Sequence, residues 1–399
     1  MKYPTLDEAD LEARKVFLRA DLNVPLENGK VTDDTRIRGM IPTLKLLLER
    51  GASVVVASHL GRPGGKVNPE YSLAPVADVL EEIMGISIAF APDCIGAHVD
   101  SMRASMKPGD VLLLENLRFN PGEEKCDDDF ARSLAGDAQV YVNDAFGTSH
   151  RSHASMVGVP RILGGGYIGL LVQKELEAFE RVLTVGDEPF TLVLGGAKVS
   201  DKIQVIEHLL PRLNNILVGG GMAFTFMKCK GLEIGESLLD VERLEAAGRI
   251  MSEAERRGVR IVLPVDVVTA PSLDAADRAE TVPADAMPRD GMGLDIGPET
   301  VREFGRVIAE SAVVVWNGPL GVFEIPPFDK GTTAVALAVA EASDKGAFTV
   351  VGGGDLVRAV HEAGVSDRIG YVSTGGGASL RLLQGMELPA LAALKGART

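Results

Sequence analysis

Five times in the second half of this chain, a short apolar run breaks off into a glycine-rich turn. The stretches are TLVLGGAK from Thr191, NILVGGGM from Asn215, VVVWNGP from Val313, FTVVGGGD from Phe348 and GYVSTGGGAS from Gly370. Each run is rich in β-branched residues and followed by a turn that can open a helix, the pattern of a strand buried in a parallel sheet. Glycines at the carboxyl end of such a strand let backbone N–H groups approach an anion, and the next helix N-terminus adds its dipole. One such turn says little. Five that converge on one sheet edge point to a phosphate-bearing ligand, a nucleotide above all.

The first half carries complementary chemistry. VFLRADLNVP from Val16, SVVVASHLGRPGG from Ser53, VLLLENLRF from Val111 and QVYVNDAFGTSHRSHAS from Gln139 are also apolar runs ending at loops. These loops bear side chains rather than glycine: Asp21, Asn23, His59, Arg62, Arg118, His150, Arg151 and His153. Ligands of open α/β sheets sit outside the carboxyl ends of the strands. One half is therefore expected to present guanidinium and imidazole, the other glycine backbone, and two different anionic ligands fit that division.

A chain of 399 residues is long enough for two domains. It has no apolar run long enough to span a membrane, and its first fifteen residues lack the apolar region of a secretory signal. Cys94, Cys126 and Cys229 suit neither a disulfide framework nor a CxxC metal site, so a reducing cytoplasm is the expected compartment. The net charge of −15 argues against non-specific nucleic-acid binding. It also means that a bound anion needs a local cluster of cations, for which the arginines above are the candidates.

Strand and helix patterns alternate through the chain, predicting parallel sheets with helices on both faces. Residues 35–51 and 72–85 read as helices, the latter with Ser72 as N-cap and Gly85 just past its end. A loop of small residues from Met156 to Tyr167 precedes an amphipathic stretch, 168–183, that suits a helix connecting two domains. The alternation resumes at Thr191 and runs to about residue 384. The acidic run Asp127–Asp129 reads as solvated surface.

Among shorter motifs, Gly164–Gly169 formally matches GxGxxG, the fingerprint that would suggest an NAD(P)-dependent dehydrogenase. The preceding SMVGVPRIL makes a poor strand, so a flexible inter-domain segment is the better reading. No P-loop is present. Instead Lys198 and Lys202 lie four apart, on one face of a helix if it opens there. Cations in a first turn oppose the helix dipole, which favours a functional reading. Asp355, directly after Gly352–Gly354, can cap the next helix or bind Mg²⁺ beside phosphates; the surrounding loops favour the metal. Glu324, beyond Asn317, can accept from ribose hydroxyls or simply belong to a βα turn. His150 and His153 have ligand spacing, but Arg151 between them suits an anion better than a divalent cation. No nucleophile–base pair is evident.

Together and in this order, these motifs resemble the phosphoglycerate kinase family. VFLRADLNVP, SHLGRP, LLENLRF, NDAFGTSHRSHAS, LGGAKVSDKI, GLDIGP, WNGPLGVFE, GGGD and STGGGAS carry the likeness over residues 16–379. The resemblance implies an α/β enzyme of two doubly wound, Rossmann-like parallel-sheet domains joined by a helix and hinge. Residues 1–167 would bind phosphoglycerate, with 384–399 packing back on them, and residues 168–383 would bind nucleotide. It implies a cytoplasmic monomer that transfers a phosphoryl group between 1,3-bisphosphoglycerate and ADP with Mg²⁺, domain closure bringing the two substrates together. Neither membrane nor nucleic acid is an expected partner. Hinges are expected in the loop before Ile168 and near Ser373–Gly377.

By motif, the phosphoglycerate site would comprise Asp21, Leu22, Asn23, Arg36, His59, Leu60, Gly61, Arg62, Arg118 and Arg151, with Arg36 nearest the transferring group. The nucleotide site would comprise Gly195, Lys198, Lys202, Gly219, Gly293, Asn317, Glu324, Gly353, Gly354, Asp355 and Leu356, with Asp355 on the metal. Gly219 and Gly293, with Gly195, would border the adenine. Arg36, Lys198, Lys202, Gly352 and Gly375 would serve the transfer itself. Three departures stand out: Leu356 replaces a small hydroxyl residue after GGGD, no tryptophan precedes MGLD, and Arg381 replaces a frequent acidic residue. The first is expected to weaken nucleotide binding by about 1 kcal/mol, one hydrogen bond, which Leu356→Thr would restore.

Overall fold

Runs of Val, Ile and Leu become strands here because both of their faces are covered. The computed structural model describes residues 3–197, 199–200 and 202–396. In the first sheet β1 (Lys15–Ala20), β2 (Ser53–Ala57), β3 (Ile88–Phe90), β4 (Val111–Leu113), β5 (Val140–Asp144) and β6 (Tyr167–Ile168) lie in the order β3-β4-β2-β1-β5-β6. Every pairing in it is parallel. The central strand is the most enclosed, with Leu18 opposite both Val56 and Val142. These residues share a core with Ile37 and Leu44 of α1 (Thr35–Glu49).

A helix, α2 (Leu170–Leu183), leads into the second half. There β7 (Phe190–Leu194), β8 (Asn215–Val218) and β9 (Arg260–Val262) precede three antiparallel strands, β10 (Asp266–Ala270), β11 (Glu280–Pro283) and β12 (Met292–Ile296). Then come β13 (Val313–Asn317), β14 (Phe348–Gly352) and β15 (Tyr371–Ser373). The parallel sheet has the order β9-β8-β7-β13-β14-β15. That is the doubly wound order, with its switch point between β7 and β13. All five glycine-terminated runs are strands of this one sheet, and the α/β class with two doubly wound parallel sheets is borne out.

The chain divides into two compact units, Met1–Glu177 with Glu387–Thr399, and Ala178–Met386. The division falls inside α2 rather than at 167/168, because the start of that helix is tied to the first sheet. Leu170 N–H donates to Thr43 Oγ1 at 2.9 Å and Leu171 N–H to Asp144 Oδ1 at 2.9 Å. After Met386, the helix Pro389–Leu394 returns to the first unit: Ala390 N–H donates to Ser149 O, and Leu391 and Leu394 are fully buried.

Three local expectations are corrected. The antiparallel sheet interrupts the predicted βα alternation; its strand Glu280–Pro283 is largely exposed and gives no buried-strand signal. Ser72 lies one residue outside the N-cap, Leu73; its hydroxyl donates to Glu115 and accepts from Ala74 N–H. Gly164–Gly169 is not a free inter-domain linker but is held by hydrogen bonds within the first unit. Gly166 N–H donates to Leu394 O at 3.1 Å, Gly169 N–H donates to Asn143 O at 2.8 Å, and a Cβ on Gly166 would fall 2.7 Å from Tyr141 O. A helix, Val159–Ile162, precedes this segment rather than a strand, which removes the dinucleotide fingerprint. The acidic run Asp127–Asp129 is exposed throughout, as expected, and Asp127 also caps a helix by accepting from Phe130 N–H.

Because Leu391 is fully buried, Leu391→Ala should cost about 2–5 kcal/mol of stability. Urea unfolding measures it; a loss within the scatter of surface substitutions would show that the returning helix is not part of the core.

Candidate functional site

Four neighbouring strands of the first sheet aim their carboxyl ends at one place. Asp21, Leu22 and Asn23 follow β1, His59 to Arg62 follow β2, Arg118 follows β4 and Arg151 follows β5, while Arg36 comes from the first turn of α1. Arg36 pairs with the Asp21 carboxylate at 2.8 Å. Burial pushes Asp21 up, but the charges of Arg36 and Arg19, with the hydrogen bond from Asn23 N–H, outweigh it and hold the carboxyl below its usual range. Backbone is organised as firmly as side chains: Leu22 N–H donates to Ser58 Oγ at 2.8 Å and Gly61 N–H to Asn23 Oδ1 at 2.8 Å. Asn116 braces Leu60 through both its N–H and its carbonyl, and Arg118 donates to Gly61 O at 2.7 Å. Arg62 and Arg151 stand exposed at the rim.

The imidazoles here are not cations. Burial first, then repulsion by Arg19, Arg118 and Arg36, overcomes the attraction of Asp21 and holds His59 well below its ordinary value. His153 is pushed down to about 4, by burial and then by Arg118, Arg19 and Arg151. Arg19 itself, inside the apolar run of β1, is fully buried against Ser155, with Glu123 beyond. A charged residue in the middle of VFLRAD was its sequence signal.

In the second unit the loops after β7, β13 and β14 enclose a cavity of about 440 Å³, lined by Gly195–Ala197, Lys202, Asn317–Pro319 and Gly353–Leu356. Gly195 N–H donates to Asn317 O at 3.0 Å and Gly196 N–H to Pro319 O at 2.8 Å. A Cβ on Gly195 would lie 2.0 Å from Pro319 O, so no side chain fits there. The Lys202 ammonium bonds Asn317 Oδ1, and Asn317 Nδ2 donates in turn to Gly352 O at 2.7 Å.

Not every expected residue sits as foreseen. The helix expected to open at Lys198 begins only at Ile203, with Lys202 as its N-cap; Lys198 lies outside the described residues. The N-cap of helix Gly354–Glu362 is Gly353, with no side-chain cap, so capping is not the role of Asp355. Glu324 is exposed on the loop after β13, with Arg358 as its charged neighbour. A Cβ on Gly219 would fall against the Leu320 side chain, and the ring of Phe224 occupies the space beside Gly293. The apolar void that Gly293 lines holds only about 10 Å³, room for one water. Gly375 N–H donates to Ser373 Oγ. Leu356 lines the cavity yet is fully buried in a core with Trp316, Val351 and Val360. A threonine there would sacrifice that packing, so Leu356→Thr would alter stability as well as any contact its hydroxyl makes. The position ahead of MGLD is Gly291, where a Cβ would lie 2.8 Å from Thr269 Oγ1.

Comparison with known proteins agrees with this arrangement. The family described as "Phosphoglycerate kinase" matches residues 6–386. The chain belongs to the phosphoglycerate kinase family. It is 51% identical over 390 residues to the phosphoglycerate kinase of Thermomicrobium roseum, covering 98% of each chain. It is 50% identical over 391 residues to the cytosolic enzyme of Triticum aestivum, covering 98% of this chain and 97% of that one. The solved phosphoglycerate kinase of Coxiella burnetii has a TM-score of 0.87 at 39% identity, with 99% of each chain covered. Family membership makes this chain a phosphotransferase that acts on ADP or ATP. No helix among the described residues is long and apolar enough to cross a membrane.

Behind the cavity, in β12, Asp295 accepts from Gly331 N–H at 2.6 Å and from Ile296 N–H at 2.9 Å. Burial lifts its carboxyl to about 8, more than these two hydrogen bonds lower it, with Asp329 adding repulsion. A carboxyl raised on folding favours the folded state below its unfolded value near 4, and that contribution disappears as pH rises towards 8. Between about pH 5 and 7, this group alone should reduce stability by roughly 1.4 kcal/mol per pH unit. Asp295→Asn should remove that slope from a series of denaturant titrations, whereas parallel profiles for the two proteins would refute the assignment.

Proposed function

We propose that the chain catalyses reversible, Mg²⁺-dependent, in-line phosphoryl transfer between 1,3-bisphosphoglycerate and ADP, giving 3-phosphoglycerate and ATP. The observation that carries this reading is the pair of unlike anion sites at the carboxyl edges of two parallel sheets. One is built from arginine, histidine and a buried aspartate, the other from glycine backbone and a lysine.

Asp21, Asn23, His59, Arg62, Arg118 and Arg151 hold the phosphate and hydroxyl of phosphoglycerate, on a backbone frame of Leu22, Leu60 and Gly61. Arg36, paired with Asp21 yet about one-third exposed, is oriented on one side and open on the other. It faces the transferring group and neutralises its charge. Lys202, Asn317 and the backbone of Gly195, Gly352, Gly353 and Gly354 receive the nucleotide phosphates; Lys198 and Gly375 complete the set by motif, and Gly219 and Gly293 border the base.

Among the described residues no cluster of three or more His, Cys, Asp or Glu could hold a metal alone. A single carboxylate, Asp355, does line the phosphate-sized cavity. That donor set suits Mg²⁺, which takes one or two carboxylates and completes its shell with phosphate oxygens and water. When bound, Mg²⁺ supplies positive charge to the nucleotide phosphates. No general base is required, because the acceptor in the ATP-consuming direction is a carboxylate already ionised near neutral pH. The two sites belong to different units, so transfer requires those units to be brought together with water expelled. Each site is completed by this chain's own residues, which supports a monomer, and the cytosolic relative supports a cytoplasmic enzyme.

A coupled spectrophotometric assay with MgATP and 3-phosphoglycerate tests the reading. Wild type should turn over, and Arg36→Ala should lose about 10³-fold or more in kcat, the range of an arginine finger. A folded wild type that binds nucleotide without turnover would sink the proposal. Asp355→Asn should weaken Mg-ADP binding in calorimetry while leaving metal-free ADP binding unchanged. Equal losses with and without Mg²⁺ would take Asp355 off the metal.

A further inference from the structure

Beneath the phosphoglycerate face lies a polar chain that the transfer itself does not use. Arg19 is fully buried in β1, and its guanidinium, which has only donors, spends them on three partners. Nε donates to Ser155 Oγ at 2.8 Å, Nη1 to Ala20 O, and Nη2 reaches His59 Nδ1 at 3.3 Å. Ser155 Oγ accepts from Arg19, so its own hydrogen goes to Glu123 Oε1 at 2.6 Å. Ser155 N–H donates to Glu123 Oε2 at 2.9 Å, and the Ser155 carbonyl accepts from the Tyr141 hydroxyl at 2.8 Å. Glu123 is fully buried as well. Each link has one permitted direction.

We infer that Arg19, Ser155 and Glu123 are positioning residues that lock His59 as its Nε2–H tautomer, so that the phosphoglycerate face receives a neutral N–H donor and not a cation. The inference rests on the proposed function for what His59 touches, but not for its tautomer. A donor at Nδ1 leaves that nitrogen only the accepting role, and the ring proton must then reside on Nε2. The charged groups acting on His59 are Asp21, Arg19, Arg118 and Arg36. Burial and the three arginines disfavour a proton there, and Asp21 does not overcome them. Glu123 in turn offsets the buried charge of Arg19, which would otherwise stand uncompensated in the sheet. Charge on the substrate is thus met by arginines, while His59 supplies direction: one donor, fixed in orientation, that persists across the physiological pH range.

The test uses the full-length protein with ¹⁵N-labelled histidine. Long-range ¹H–¹⁵N correlation spectra are taken from about pH 5.5 to 8, spanning the ordinary histidine value, with His59 assigned through His59→Gln. Wild type should show the Nε2–H pattern without titrating. Ser155→Ala deletes the hydroxyl link, and Arg19→Lys keeps the charge but removes the fork. Each should move His59 towards mixed tautomers. Each should also raise KM for 3-phosphoglycerate about tenfold, the loss of one charge-assisted hydrogen bond, while KM for MgATP stays unchanged.

An Nδ1–H pattern, or a titration near 6.5, in wild-type His59 would overturn the inference even if neither variant folds. So would folded variants that leave tautomer and KM unmoved, or that shift the tautomer without shifting KM. Failure of wild type to turn over 3-phosphoglycerate counts against the proposed function instead, and the spectra still decide the tautomer.

Discussion

Two lengths of main chain meet at the switch point of the second sheet, and the cavity there depends on how closely they approach. The loop after β7 donates two backbone hydrogen bonds to the chain at the end of β13, Gly195 N–H to Asn317 O and Gly196 N–H to Pro319 O. That contact is possible only because position 195 has no Cβ. It follows from strand order: in a doubly wound sheet the central strands run into helices on opposite faces, leaving a crevice between their loops. Asn317 then ties the crevice to β14 through Gly352 and holds Lys202 above it. Among the described residues, this crevice is thus lined by backbone with one ammonium and one carboxylate added.

The first unit reaches a comparable end by burying charge. Asp21 and Arg19 are both enclosed near the end of β1, and each is compensated within hydrogen-bond reach, Asp21 by Arg36 and Arg19 by the Ser155–Glu123 link. Such groups are expensive to leave unpaired, so the network specifies its own geometry: losing any one partner exposes the next.

Much of this was legible in the sequence. Strands ending in glycine announce themselves because burial on both faces demands uninterrupted β-branched runs, and all five runs fall in one sheet. The exposed strand at Glu280–Pro283 has no such pattern, and β3 and β9 span three residues each, too few for periodicity to register. Arg36 entered only through the family resemblance, whereas Asp21, His59 and Arg118 were legible as a cluster because each follows a strand. Their protonation was not, since it depends on which arginines surround a buried ring. Arg19, whose only signal is a charge inside an apolar run, and Glu123 were not singled out, because sequence does not show that two distant charges are buried side by side. Leu356 misled in the opposite sense: its neighbours in sequence belong to the cavity, whereas its side chain belongs to the core.

Gly195 also bears on how such a site is found by mutagenesis. Truncating side chains one at a time subtracts atoms, and a glycine cradle has none to subtract. A methyl group added at Gly195, Gly220 or Gly318 would instead meet backbone atoms within 3 Å. The map of sensitivity for this enzyme should therefore depend on the sign of the perturbation. Deletion scans would outline the first unit, where function resides in long polar side chains. Insertion of bulk would outline the glycine cradle of the second, where deletion would register only at side chains such as Lys202, Asn317 and Asp355.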